Sequence, residues 1–176
     1  RAMMSSWNIV LIGFMGSGKT TVGREVARRL GWSFVDTDDE IERGAGKSIA
    51  AIFADEGEDH FRRLEKEVVC RLAASKERVI ATGGGVVKDG DNLRTLAATG
   101  VLFWLRLEPE EIYRRIRGQQ VVRPLLEVAD PLGEIRRLLQ ERESSYAKAD
   151  FIIDGKGTVD VVADAIIAKM NRWRGR

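Results

Sequence analysis

The octapeptide Gly13-Phe14-Met15-Gly16-Ser17-Gly18-Lys19-Thr20 matches the pattern GxxxxGK[ST] at every fixed position and constrains this chain more than any other stretch. It follows the apolar run Ile9-Val10-Leu11-Ile12. After it, Val22, Val26, Ala27 and Leu30 fall on one side of a helical wheel, so the motif sits where a strand becomes a helix. Glycines let backbone N–H groups turn inward around phosphate oxygens, and the following helix offers its unsatisfied N–H groups and positive dipole end to the same anion. Lys19 is expected to reach the β- and γ-phosphates of a nucleotide and Thr20 to offer a hydroxyl to Mg²⁺. A plain glycine-rich turn with a solvated Lys19 is the bland alternative. Three glycines, a lysine and a hydroxyl in register at a strand-to-helix junction speak against it. The motif alone leaves open a small-molecule kinase, a GTPase, a motor or a regulatory ATPase.

The rest of the chain alternates short apolar runs with amphipathic stretches. Gly31 reads as a helix stop, and Ser33-Phe34-Val35 as a second strand ending at Asp36-Thr37-Asp38. Carboxylates at a strand's carboxyl end are placed to meet Mg²⁺ or substrate hydroxyls. Thr37 with Glu40 also fits a capping box, so Thr37 is expected to cap while Asp36 and Asp38 face the ligand. Residues 47–74 read as two helices broken near Gly57, and Arg62, beside apolar Phe61, is either an anion ligand or solvated. A third strand, Arg78 to Thr82, ends in Gly83-Gly84-Gly85. Three glycines are costly unless backbone approaches something closely; the alternatives are a flexible turn and a nest of N–H groups facing an anion or hydroxyl. Val101 to Leu105 suits a parallel strand buried on both faces, and Pro109 opens a helix carrying Arg114, Arg115 and Arg117. The segment around Arg123-Pro124 lacks periodicity and reads as a mobile lid or a plain surface loop. Asp130-Pro131 starts another helix, Phe151-Ile152-Ile153 is a last strand, and Val159 to Met170 form a final helix with one apolar face.

Five strands alternating with helices imply an α/β three-layer sandwich, with a five-stranded parallel sheet flanked by helices. A length of 176 residues with 44% hydrophobic content suits one domain. The apolar runs are too short to cross a bilayer and the N-terminus lacks a signal-peptide pattern, so a cytoplasmic location with no membrane partner is expected. Arg1-Ala2 ahead of Met3 reads as a remnant of expression. Net charge is only +2 with 32% charged residues, and Arg and Glu are interleaved, so nucleic-acid binding is not indicated. The single cysteine, Cys70, is expected to pack within a helix, and the single histidine, His60, to be an exposed helical residue.

Read together, GFMGSGKTTVGR from Gly13 to Arg24, DTD from Asp36 to Asp38, FRRLE from Phe61 to Glu65, TGGG from Thr82 to Gly85 and RPLL from Arg123 to Leu126 resemble the shikimate kinase family. That family lies within the nucleoside-monophosphate-kinase-like group of P-loop proteins. The resemblance implies one kinase domain over residues 1–176, with a substrate-binding insertion at about 37–74 and a lid at about 118–130. It implies transfer of the γ-phosphoryl group of ATP to the 3-hydroxyl of shikimate, in the route to aromatic amino acids, with Mg²⁺ as cofactor. The enzyme is expected to act as a monomer on these small molecules.

By the same resemblance, Gly13, Gly16, Ser17, Gly18, Lys19, Thr20, Thr21, Arg114 and Arg123 serve ATP, and Thr20 with Asp36 holds the metal. Asp38 takes the proton of the attacking hydroxyl, so Lys19, Asp38 and Arg123 form the catalytic set. Phe61, Arg62, Gly83, Gly84, Gly85 and Arg142 join Asp38 around shikimate, with Arg62 and Arg142 clamping the carboxylate. The chain has GKT where the family often has GKS, and Gln119-Gln120-Val121-Val122 where more basic residues are common. The arginine beside the adenine therefore stays open among Arg114, Arg115 and Arg117, with Asp154-Gly155-Lys156-Gly157 nearby. A gluconate- or nucleotide-type kinase of the same fold and a catalytically silent nucleotide-binding module are the competing readings.

Overall fold

The structure is a computed structural model that describes residues 7–119 and 127–175. Among them, β1 (Asn8–Ile12) leads through the glycine loop into α1 (Lys19–Leu30), then β2 (Ser33–Asp36), α2 (Thr37–Ala45) and α3 (Ile49–Ala73). There follow β3 (Arg78–Ala81), α4 (Gly90–Thr99), β4 (Gly100–Arg106), α5 (Pro109–Arg117), α6 (Pro131–Tyr146), β5 (Phe151–Asp154) and α7 (Val159–Arg172). The strands form one parallel sheet in the order β2-β3-β1-β4-β5. The order puts β1, and the loop that leaves it, at the centre. β1 is separated from its chain neighbour β2 by β3, and the β3-to-β4 connection crosses back over β1. The strand order therefore reverses beside β1, and a crevice opens there at the carboxyl ends of the strands, the usual ligand position in such sheets.

Every residue of β1 is buried, as a strand covered on both faces requires. Its side chains alternate between two cores: Val10 and Ile12 join Ile80, Leu102 and Trp104 on one face, while Ile9 and Leu11 join Val79, Val101, Phe103 and Leu105 on the other. The first core is covered by α2, α3 and α4, the second by α1 and α7. The apolar faces of Val22, Val26 and Ala27 on α1 and of Val162, Ala163, Ile166 and Met170 on α7 both point into the second core. A third, smaller cluster joins Phe14 of the loop to Ile112 and Ile116 of α5, Leu107, and Ile135 of α6.

Gly31 ends α1 with φ 69°, and α3 is broken at Gly57, whose φ 85° and ψ 170° are not helical. Both match the breaks read from sequence. Two local expectations fail. The N-cap of α2 is Asp36, whose carboxylate accepts the Asp38 and Asp39 N–H groups, while Thr37 lies inside the helix with its hydroxyl turned to another segment. A carboxylate one residue earlier supplied the cap, so no capping box forms. Cys70 is exposed, because Val68, Val69 and Leu72 take the buried face of α3. The interleaved charges pair with one another, some along one helix, as where Arg137 donates to Glu134 and Glu141, each at 2.6 Å. Others pair between helices, as where Arg29 of α1 meets Asp160 of α7 at 2.8 Å. His60 is partly exposed and sits 2.9 Å from Glu56, one turn earlier.

Candidate active site

Gly13, Gly16 and Gly18 have φ of 151°, 78° and 93°, backbone that side-chain-bearing residues rarely adopt, so the loop's spacing of glycines is a conformational requirement. The loop curls back so that the Lys19 ammonium donates to the carbonyl oxygens of Gly13 at 2.6 Å and Phe14 at 2.9 Å. Lys19 is buried at the first turn of α1, where the helix dipole and the free N–H groups favour an anion. Ser17 is buried within the loop and Thr20 stands at the rim, its hydroxyl donating to Asp36 Oδ2 at 3.1 Å.

A cleft of about 340 Å³ opens beside the loop, lined by Gly16, Gly18, Lys19, Thr20 and Thr21 on one side and by Asp36, Asp38, Gly83 and Gly84 on the other. Asp36 uses its two oxygens differently: one caps α2, the other accepts from Thr20. Among the described residues no cluster of three acidic, histidine or cysteine side chains forms a metal cage. A hydroxyl beside one carboxylate nevertheless suits Mg²⁺, which keeps several waters and takes one or two protein oxygens plus substrate phosphates. Burial, then the charges of Asp36 and Glu65, raise the Asp38 carboxyl from 3.8 to about 6, with the Lys19 ammonium opposing.

The glycine turn after β3 brings the other side chains together. A Cβ on Gly83 would lie 2.4 Å from Asp38 Oδ1, one on Gly84 would lie 3.4 Å from Arg142 Nη1, and one on Gly85 would lie 2.7 Å from Arg62 Nη1. Each glycine thus makes room for one charged side chain. The expected nest of N–H groups is not what forms at Gly83, whose N–H donates to Thr37 Oγ1 at 2.8 Å. Arg142 donates to the Gly84 carbonyl at 3.1 Å, and its guanidinium lies 5.4 Å from the Phe14 ring centroid. Tyr146, stacked on Trp104, also donates to the Gly84 carbonyl, at 3.4 Å.

Arg62 donates to Glu65 at 3.0 Å and lies over the Phe61 ring. Phe61 itself is buried and packs on Phe53, so it supports Arg62 from beneath. Glu65 is 1% exposed, and burial holds its carboxyl above the ordinary value despite the opposing charge of Arg62. Glu65, Thr37 and Tyr146 had no assigned part in the site from sequence. The i,i+3 spacing of Arg62 and Glu65 on a face shared with Phe61 and Val68 was the available signal for Glu65. Nothing local signalled Thr37, and Arg123 lies outside the described residues.

A second cleft, of about 490 Å³, continues from Gly16, Ser17 and Gly18 to Arg114, Arg115, Gly155 and Gly157. Arg115 donates to the Gly155 carbonyl at 3.0 Å and to Glu111 at 2.9 Å, while Arg114 is more exposed and pairs with Glu111. Arg117 instead lies over the Tyr113 ring. The phosphate loop therefore has a polar cleft on one side, toward Asp38, and a second on the other, toward Gly155. This is room for a donor and an acceptor that meet over Lys19.

The shikimate kinase family model matches residues 15–171. A shikimate kinase of Symbiobacterium thermophilum is 52% identical over 161 residues, covering 89% of this chain and 92% of its own. One of Thermodesulfovibrio yellowstonii is 48% identical over 94% of this chain and 95% of its own. Among solved structures, shikimate kinase from Acinetobacter baumannii in complex with shikimate superposes with a TM-score of 0.89 at 38% identity, covering 97% of this chain and 96% of that one. A gluconokinase from Sinorhizobium meliloti, at 16% identity and a TM-score of 0.64, shares the fold alone. A phosphate loop, two flanking clefts and three charged side chains seated on three glycines are thus found in a chain that belongs to the shikimate kinase family.

Proposed function

We infer that this chain phosphorylates the 3-hydroxyl of shikimate with ATP. The observation that carries the reading is the seating of Asp38, Arg142 and Arg62 on Gly83, Gly84 and Gly85, beside the phosphate loop. Two guanidinium groups suit a carboxylate, because their paired donors match its geometry. A carboxylate raised toward neutrality suits removal of a hydroxyl proton. An acceptor with a carboxylate at one end and hydroxyls at the other satisfies both.

Phosphoryl transfer through a loose transition state calls for positioning and charge stabilisation more than for a strong base. The backbone N–H groups of the loop and the start of α1 hold the phosphates, and Lys19 exchanges its carbonyl partners for phosphate oxygens. Thr20 and Asp36 would hold Mg²⁺, which supplies charge neutralisation between the phosphates. Asp38 orients the 3-hydroxyl and accepts its proton as the new oxygen–phosphorus bond forms and the bond from the γ-phosphorus to the β,γ-bridging oxygen breaks, releasing ADP. Arg62 and Arg142 fix the far end of the ring through its carboxylate. The family resemblance adds Arg123 to the transferring phosphoryl group, and Arg115 with Arg114 borders the second cleft as the candidate adenine side. The proposed enzyme is a cytoplasmic monomer with no nucleic-acid partner; the pairing of arginines with nearby carboxylates supports the last point, and no helix among the described residues is long and apolar enough to cross a membrane.

ADP release measured with shikimate, quinate, gluconate and nucleoside monophosphates tests the reading. Strong turnover is expected with shikimate only. Equal or faster turnover with gluconate or a monophosphate would replace it.

A further inference from the structure

Thr37 has no exposed surface, although it stands between a candidate metal ligand and the proposed proton acceptor. A hydroxyl at the start of a helix ordinarily turns back to cap its N–H groups. Here Asp36 Oδ1 does so, accepting from Asp38 and Asp39 at 2.8 and 3.2 Å. The Thr37 side chain is released to reach out of α2, and its oxygen accepts the Gly83 N–H at 2.8 Å. That bond ties the first turn of α2 to the turn after β3, a link spanning 46 residues of chain.

Gly83 is committed at both ends, because its carbonyl accepts the Val86 N–H at 3.1 Å. The turn is therefore placed by Thr37 on one side and by its own short helical continuation on the other. Asp38 lies against the same glycine, its carboxylate filling the space a Cβ would occupy. The gap between α2 and the glycine turn is thus set one residue from the carboxylate that fills it. Moving Gly83 changes where Asp38 rests, and Gly84 and Gly85 carry Arg142 and Arg62 along the same turn.

We propose that Thr37 is a positioning residue for phosphoryl transfer: its hydroxyl fixes the glycine turn against α2 and so aims Asp38 at the acceptor hydroxyl. The role rests on the reading that this chain phosphorylates shikimate through Asp38. Thr37 is buried and acts through Gly83 and Asp38. Its loss should fall on the chemical step and on shikimate more than on ATP, since Lys19 is held by the Gly13 and Phe14 carbonyls, bonds in which Thr37 has no part.

Three variants test this in steady-state kinetics, with melting curves as the check on folding. Thr37→Val keeps the shape and leaves the Gly83 N–H without its acceptor, and kcat should fall on the order of 10- to 100-fold, the cost of a displacement near 1 Å in a reacting pair. KM for ATP should stay within about threefold. Thr37→Ser retains an acceptor oxygen and should recover most of kcat, whereas Thr37→Cys, with a weak acceptor, should resemble Thr37→Val. If Thr37→Val does not fold, the Ser and Cys pair decides. A kcat near wild type in Thr37→Val or Thr37→Cys, or equal damage in Thr37→Ser, would overturn the role in favour of simple packing. A wild-type enzyme inactive on shikimate would overturn the functional reading and this role together; an active wild type with an unimpaired Thr37→Val overturns the role alone.

Discussion

Arg62 and Gly85 are so close that a single methyl group on the glycine would stand 2.7 Å from Nη1 of the arginine. The contact is with the far end of a flexible side chain, so the guanidinium, rather than the backbone, gives way, and it can shift while keeping its bond to Glu65. The damage from Gly85→Ala should therefore appear in acceptor binding. KM for shikimate is expected to rise on the order of 10- to 100-fold, as for loss of a charged hydrogen-bonding partner, with KM for ATP and the melting temperature nearly unchanged. A variant with wild-type affinity for shikimate would remove Arg62 from the carboxylate clamp.

Asp38 is held in a setting that disfavours its charge. Its carboxyl stands at about 6 in the folded protein against an ordinary 3.8, raised first by burial and then by Asp36 and Glu65. Because the folded state holds the proton more tightly, the stabilising contribution is complete below 3.8 and is lost as the pH rises through about 6. The loss amounts to about 3 kcal/mol above that window. Asp38→Asn carries no charge, so it should melt roughly 5–10 °C above wild type at pH 8, with the gap narrowing as the pH falls toward 4. Its kcat should fall about 10²- to 10⁴-fold. Parallel melting curves at every pH would show that the carboxylate is not under strain.

Glu65 pins Arg62 from a buried position on α3. Glu65→Gln preserves the shape while removing the charge that holds the guanidinium, so calorimetric titration with shikimate should show affinity weaker by about tenfold. Because Glu65 also pushes Asp38 upward, the same variant should narrow the stability difference between pH 5 and pH 8. An unchanged affinity would mean that Phe61 and Glu58 suffice to position Arg62.

Arg115 and Arg114 differ in what holds them. Arg115 reaches across to the Gly155 carbonyl and is partly buried, whereas Arg114 is paired with Glu111 on its own helix and is mostly exposed. Arg115→Ala should raise KM for ATP about tenfold and leave shikimate binding alone, and Arg114→Ala should stay within about threefold. The reverse order of effects would assign the adenine side to Arg114.

The features legible in the sequence were those written in neighbouring residues. The phosphate loop, the alternation of strands and helices, the break at Gly57 and the stop at Gly31 each depend on spacing within one turn or one strand, and each took the expected place. The run Gly83-Gly84-Gly85 announced a close approach without saying what approaches: N–H groups facing a ligand and side chains lying on bare backbone demand the same residues. Thr37 was misread for a related reason. Its local pattern fits a cap, but Asp36 competes for the same N–H groups, and the true partner lies 46 residues away. Glu65 carried no expectation of its own, and only the packing of α3 against the core turns it inward.

The small cluster of Phe14, Ile112, Ile116 and Ile135 has a consequence for where ATP affinity can be altered. A Cβ on Gly16 would touch the Ile116 side chain at 2.9 Å, and the carbonyl of Phe14 holds Lys19. The nucleotide loop, α5 and α6 therefore share one apolar cluster. Trimming or swelling Ile116 changes the seat of the loop itself, so nucleotide affinity can drift through an aliphatic residue that never meets a phosphate.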